Sequence, residues 1–197
     1  MKISFIDNHD SFASTIAAYF RLAGADVVHL KSSCSLETAV KDAPDLILLG
    51  PGPNAPRGAG NYMALLDKYR EEFPFFGICL GFQAMMEYFG QPVERLEDVV
   101  HGAAIKINHN ESEIFEGISP DAEFARYNSL GVYKVPDCFE ITATQDGKKG
   151  NGIVMAARHK IFPIEGVQFH PESILSSYED AGMRLVRNVV RIYSPQS

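Results

Sequence analysis

Cysteine is scarce in this chain. Its 197 residues hold only Cys34, Cys79 and Cys138, an odd number with no metal-ligand spacing, which excludes a disulfide framework and fits a reducing cytoplasm with a free thiol. Cys34 and Cys138 read as structural or incidental. His101 and His109 make no recognisable set with any cysteine, so no metal and no cofactor is expected. Positive charge is short as well. With 18 Lys and Arg against 25 Asp and Glu the formal charge is −7, which argues against a nucleic-acid or anionic-membrane role, since both need a basic face. Long apolar runs are missing too. The uncharged stretch Phe73 to Met86 falls short of the roughly 20 residues that span a bilayer, and it carries Pro74 and Gln83. No basic region with an apolar core and a small-residue cleavage site opens the chain, so no secretory signal is expected. Neither an internal repeat nor a low-complexity tract is found. What is left is an ordinary globular composition, read as one domain over residues 1–197 that can bury a core without staples.

Against that background one segment stands out, Gly77-Ile78-Cys79-Leu80-Gly81. Before it, Phe73-Pro74-Phe75-Phe76-Gly77-Ile78 is too apolar to have a wet face and reads as a strand covered on both sides. After it, Leu80 to Phe89 reads as a short helix stopped by Gly90. A side chain that projects from such a strand-to-helix reversal needs room, and glycines two positions away on either side relieve the crowding. Cys79 would then sit at a helix N-terminus, where exposed N–H groups favour a thiolate. By itself the pattern reads first as a small buried hydrophobe. A partner for it lies in Gly166-Val167-Gln168-Phe169-His170-Pro171-Glu172-Ser173. A thiol nucleophile needs a base, and the base needs a third group that fixes its tautomer. His170 and Glu172 supply both types, and Pro171 between them holds its neighbours extended.

The first half of the chain alternates strands and helices. Strands are expected at Lys2–Asp7, Asp26–Leu30, Asp45–Leu49 and Phe73–Ile78, with helices over Ser11–Ala23, Ser35–Lys41 and Tyr62–Glu72. Such alternation means parallel strands, right-handed crossovers and helices on both faces, with ligands beyond the strand carboxyl ends. The second half is strand-rich, over Pro92–Ile107, Phe124–Tyr127, Phe139–Thr144, Gly152–His159 and Ile161–Phe169, with turn signals at Asp146-Gly147 and Asn151-Gly152. A final helix, Asp180–Tyr193, presents Met183, Val186, Val190 and Tyr193 on one face. The fold class expected is α/β, a mostly parallel central sheet with helices on both faces plus a smaller antiparallel sheet.

The Cys79 and His170 segments resemble the two signature motifs of the class I (triad-type) glutamine amidotransferases, and Leu49-Gly50-Pro51-Gly52-Pro53 resembles that family's oxyanion loop. Asp7-Asn8-His9-Asp10-Ser11-Phe12 and Arg126-Tyr127-Asn128-Ser129-Leu130 resemble, more narrowly, the small subunits of anthranilate synthase and aminodeoxychorismate synthase. The resemblance implies a glutaminase in which Cys79 attacks, His170 moves the proton and Glu172 orients it. Elbow geometry gives one oxyanion donor, the N–H of Leu80, and the resemblance gives the other, the N–H of Gly52. It also implies that Gln83, the backbone of Ser129 and Leu130, and the loop Gly52-Pro53-Asn54 hold the substrate, L-glutamine. The Asp7–Phe12 segment reads chiefly as helix capping.

Four positions depart from the family pattern: Phe82 where His is usual, Asn54 for Gly, Asn128 for His, and Ala103 for Lys. They bear on substrate affinity and on the partner. The ammonia needs an acceptor, and the chain has no room for a second catalytic domain. The resemblance therefore implies a separate chorismate-using synthase large subunit, with anthranilate synthase as the main reading. The alternatives are a subunit of aminodeoxychorismate synthase, a catalytically weakened binding subunit, or a cysteine hydrolase acting on other amides.

Overall fold

The computed structural model describes residues 1–111, 113–147 and 152–195. The elements in chain order are β1 (Lys2–Asp7), α1 (Ala13–Leu22), β2 (Asp26–Lys31), α2 (Leu36–Val40), β3 (Leu46–Leu49), α3 (Tyr62–Tyr69), β4 (Phe75–Ile78) and α4 (Leu80–Tyr88). There follow β5 (Glu94–Arg95), β6 (Ala103–Lys106), β7 (Asn108–His109), β8 (Glu123–Arg126), β9 (Leu130–Gly131), β10 (Phe139–Gln145), β11 (Ile153–His159), β12 (Ile164–Val167) and α5 (Ala181–Tyr193).

One sheet organises the molecule, in the order β2-β1-β3-β4-β12-β11-β10-β7. From β2 through β12 the pairings are parallel, and from β12 to β7 they are antiparallel. The parallel half needs two covered faces, and its residues divide accordingly. Leu46, Leu48, Phe76 and Ile78 enter one core with Ile16 and Phe20 of α1 and Leu185 and Val189 of α5. Their neighbours Ile47, Leu49 and Phe75 enter the other, with Leu65 and Leu66 of α3 and Met85 and Met86 of α4. Alternation with both faces apolar is what a doubly covered strand requires. The helix expected at Ser35–Lys41 is present as α2, where the Ser35 hydroxyl accepts the Thr38 N–H at 3.1 Å as an N-cap.

Three features differ from the sequence expectation. The apolar stripe of α5 includes the expected Val186 and Val190, with Tyr193 packed against the core, but it also takes in Gly182, Leu185 and Val189, while Met183 is only partly covered. The strands expected in Pro92–Ile107 are the short β5 and β6, and they pair with β9 and β8 as two small antiparallel ladders outside the main sheet. β7 and β9 have two residues each, too few to leave a periodic signal. Of the expected turn Asn151-Gly152, Asn151 lies outside the described residues. Among the described residues no helix is long and apolar enough to cross a membrane.

The parallel strands β1, β3, β4 and β12 are consecutive in the sheet, so their carboxyl ends bring Asp7, the loop after Leu49, Cys79 and the segment after Val167 to one edge. That edge is where an open α/β sheet binds its ligands.

Candidate active site

Cys79 occupies the single residue between β4 and α4, with φ 52° and ψ −101°. A positive φ at a non-glycine residue is costly and persists only where the surroundings enforce it. Here the Cys79 N–H donates to Val167 O at 2.8 Å, and its own carbonyl accepts the Gln83 N–H at 3.0 Å, so strand β12 holds one side of the residue and the first turn of α4 the other. At Gly77 an added Cβ would lie 2.6 Å from the Phe82 nitrogen, which is why the elbow tolerates no side chain there.

His170 and Glu172 follow the strand next to β4. Both are almost fully buried, and His170 Nδ1 lies 2.7 Å from Glu172 Oε1. The backbone of His170 is fastened separately. Its N–H donates to Ala125 O at 2.9 Å, and its carbonyl accepts the Ser176 hydroxyl at 2.6 Å; the same Ser176 oxygen accepts the Ala125 N–H at 2.8 Å. The ring is flanked by Phe12, with centroids 5.6 Å apart, and by Tyr127, edge-on at 5.1 Å. Burial disfavours a charged imidazole, but the charge and hydrogen bonding of Cys79, and then of Glu172, outweigh it and raise the His170 pKa well above its usual value.

Cys79 opens into a cavity of about 250 Å³ whose wall includes Gly52, Pro53, Asn54, Gln83, Ser129 and Leu130. His101, Tyr127 and Asn128 complete it. Leu80 has a buried side chain, and as the first residue of α4 its N–H has no intrahelical acceptor. The structure thus brings every candidate site residue to one place. Gly52 sits against Asn8, whose Nδ2 reaches Pro53 O at 3.5 Å and whose Oδ1 accepts the Ser32 hydroxyl at 2.8 Å. Behind the loop, the buried Tyr62 hydroxyl lies 2.8 Å from Ile6 O and 3.1 Å from Gly50 O, tying the ends of β1 and β3 together.

Capping in the Asp7–Phe12 segment takes a different form from the one expected. Asp10 Oδ1 accepts the Phe12 N–H at 2.7 Å and Asp7 Oδ1 accepts the Asp10 N–H at 3.0 Å, whereas the residue at the α1 N-cap, Phe12, has no side-chain cap. The acids brace the turn ahead of the helix, and Asn8 serves the neighbouring loop.

The four departures separate in space. Phe82 is wholly buried among the apolar residues under α4 and is absent from the cavity wall. Asn54 lines the wall with φ 71°, the left-handed region that Asn tolerates better than other side chains. Asn128 is in the wall and hydrogen-bonded to Arg126, and Ala103 is an exposed residue of β6. Sequence reasoning assigned no role to Gln168, which is fully buried with Nε2 3.6 Å from the Cys79 sulfur. Its position two residues before His170 was the only available signal.

The family model described as "Glutamine amidotransferase class-I" matches residues 4–190. The chain is 40% identical to aminodeoxychorismate synthase component 2 of Escherichia coli K12 over 190 residues, covering 94% of this chain and 97% of that protein. It is 38% identical to anthranilate synthase component 2 of Methanocaldococcus jannaschii over 194 residues, covering 96% of each. In three dimensions it resembles a glutamine amidotransferase of Thermotoga maritima with a TM-score of 0.80 at 14% identity, over 99% of each chain.

Proposed function

The chain belongs to the class-I glutamine amidotransferases, and from that premise we propose that Cys79, His170 and Glu172 hydrolyse L-glutamine and that the ammonia passes to a chorismate-using synthase subunit, with anthranilate synthase the main reading. The observation that carries the assignment is the strained Cys79 elbow facing a cavity, with the buried His170–Glu172 pair on the adjoining strand.

The chemistry runs through two half-reactions. The Cys79 thiolate attacks the side-chain carboxamide carbon, and the oxygen becomes an oxyanion that the N–H groups of Leu80 and Gly52 would receive. Collapse expels the nitrogen, which takes the proton of His170 and leaves as ammonia, with a γ-glutamyl thioester on Cys79. Water then attacks the thioester with His170 as base, and glutamate leaves as the thiolate and imidazolium are restored. Glu172 holds the tautomer throughout. The carbonyls of Ser129 and Leu130 are already occupied, by the Leu96 N–H at 2.9 Å and by the Gln83 and Asn128 amides. Substrate contact there falls to N–H groups, with Asn54 and Pro53 on the facing wall.

One relative is an anthranilate synthase component and another an aminodeoxychorismate synthase component, and the same glutaminase would serve either acceptor, so the aminodeoxychorismate synthase role is the second reading. The test is to mix the chain with the large subunit of each chorismate-using synthase, then to identify the glutamine-dependent product. Anthranilate formed with glutamine, and lost in Cys79→Ala while ammonia still supports it, is the expected result. Aminodeoxychorismate alone would favour the second reading, and no glutamine-dependent product with any such subunit would overturn both.

A further inference from the structure

The side chain of Gln168 ends a relay of hydrogen bonds whose direction can be read from its other end. Arg126 is fully buried, and a guanidinium can only donate. Its Nε–H goes to Asn128 Oδ1 at 3.0 Å, so the Asn128 nitrogen faces away, and it donates to Leu130 O at 2.5 Å. A backbone carbonyl can only accept. The Gln83 amide therefore also turns its nitrogen to Leu130 O, 2.8 Å away, and the second hydrogen of that nitrogen meets Gln168 Oε1 at 3.0 Å. With its oxygen committed, Gln168 has only its N–H to offer the Cys79 sulfur, at 3.6 Å. A cation and a carbonyl, independent of each other, fix the same polarity.

We infer that Gln168 is a further catalytic residue, whose amide N–H holds and aims the Cys79 thiolate, and that Arg126 is a positioning residue acting on it through Asn128, Leu130 and Gln83. This rests on the reading of Cys79 as nucleophile. A hydrogen bond to an anion is shorter and stronger than one to its neutral form, so a donor locked on the sulfur favours the reactive thiolate over the thiol. It also restrains the χ1 rotation that would swing the sulfur off the carboxamide carbon. Burial pulls the Arg126 guanidinium below its usual range, and the Asp98 carboxylate counters it. Among the described residues, the other ionisable groups at the site are His170 with Glu172 behind it, and His101 and Tyr127 on the cavity wall.

The experiment uses the full chain without glutamine and follows iodoacetamide alkylation of the Cys79 peptide by mass spectrometry as a function of pH. Gln168→Met keeps the length of the side chain and removes the donor. The pH of half-maximal alkylation should rise by about one unit, which is tenfold less thiolate at pH values below it, with a thermal transition like that of the parent. Gln83→Met leaves Gln168 in place without its anchor and should shift the profile the same way by a smaller amount; if Gln168→Met does not fold, this variant decides. Profiles unchanged from the parent overturn the inference. A parent chain whose Cys79 alkylates with an ordinary thiol profile near about pH 8.5, and which is not labelled by a glutamine-like electrophile, overturns the nucleophile reading as well and so marks a different failure.

Discussion

Gly81 approaches Leu49 so closely that a Cβ on it would fall 2.1 Å from the Leu49 carbonyl oxygen. The first turn of α4 is therefore pressed onto the end of β3, and the Gly81 N–H donates to Gly50 O at 3.1 Å. Strand β3, helix α4 and the elbow meet at this point, and backbone cannot yield as a flexible side chain would. Gly81→Ala should cost about 1–3 kcal/mol of stability or more, the cost of overpacking a close contact. Urea unfolding of the isolated chain measures it, and a loss below about 1 kcal/mol would show that α4 slides freely over β3.

Gly52 is crowded in a different setting. A Cβ there would meet Asn8 O at 2.6 Å and Asn8 Nδ2 at 2.8 Å, but the loop is near the surface and can move away from the core. Gly52→Ala should leave the thermal transition within a few degrees of the parent. The displaced loop would carry the Gly52 N–H off the oxyanion, and glutaminase kcat in the synthase complex should fall about 10²–10³-fold, the effect of losing one such donor. Steady-state kinetics beside a melting curve separate the two effects.

How much of this was legible in the sequence follows from the kind of signal each part leaves. The doubly covered strands β3 and β4 are continuous apolar runs, and the elbow and the His170–Glu172 pair are short motifs, so all could be read directly. On α5 the expected Val186 and Val190 are buried, but Met183 is as apolar as Leu185 and periodicity alone does not choose between them. The ladder β5–β9 has two residues per strand and is created by tertiary contact. The role of Asn8 in bracing Pro53 and that of Gln168 beside sulfur depend on residues 45 and 89 positions away, which no local pattern records.

Phe82 stands where the family pattern usually has His, yet it is a core residue under α4, packed where a Cβ on Gly166 would meet its ring at 3.1 Å. Restoring the usual residue should therefore act on stability and leave the cavity alone. Phe82→His is expected to lose about 1–3 kcal/mol, from the smaller apolar area and from ring nitrogens without partners, with KM for glutamine within about twofold of the parent. A several-fold lower KM would mean that position 82 reaches the substrate.

Glu165 lies in β12 beneath the site, 1% exposed, hydrogen-bonded to Tyr193, and its Oε2 has no hydrogen-bond partner among the described residues. Burial pushes its pKa from 4.5 up to about 7, against the pull of Arg158, so the folded chain prefers the neutral acid. The unfolded chain ionises near 4.5, and a folded pKa raised above the unfolded one makes stability full below about pH 4.5 and lost as pH climbs through about 7. A difference of about 2.5 units corresponds to about 3 kcal/mol. Glu165→Gln keeps the neutral shape at every pH. At pH 4.5 variant and parent should be alike within about 1 kcal/mol, and by pH 8 the variant should be more stable by up to about 3 kcal/mol. His170, whose folded pKa is also raised, adds a slope of the same sign to both proteins, and it cancels in the difference. Denaturant unfolding of the pair at the two pH values gives that difference directly, and a gap that does not open with pH would mean that Glu165 ionises in the fold as it does in water.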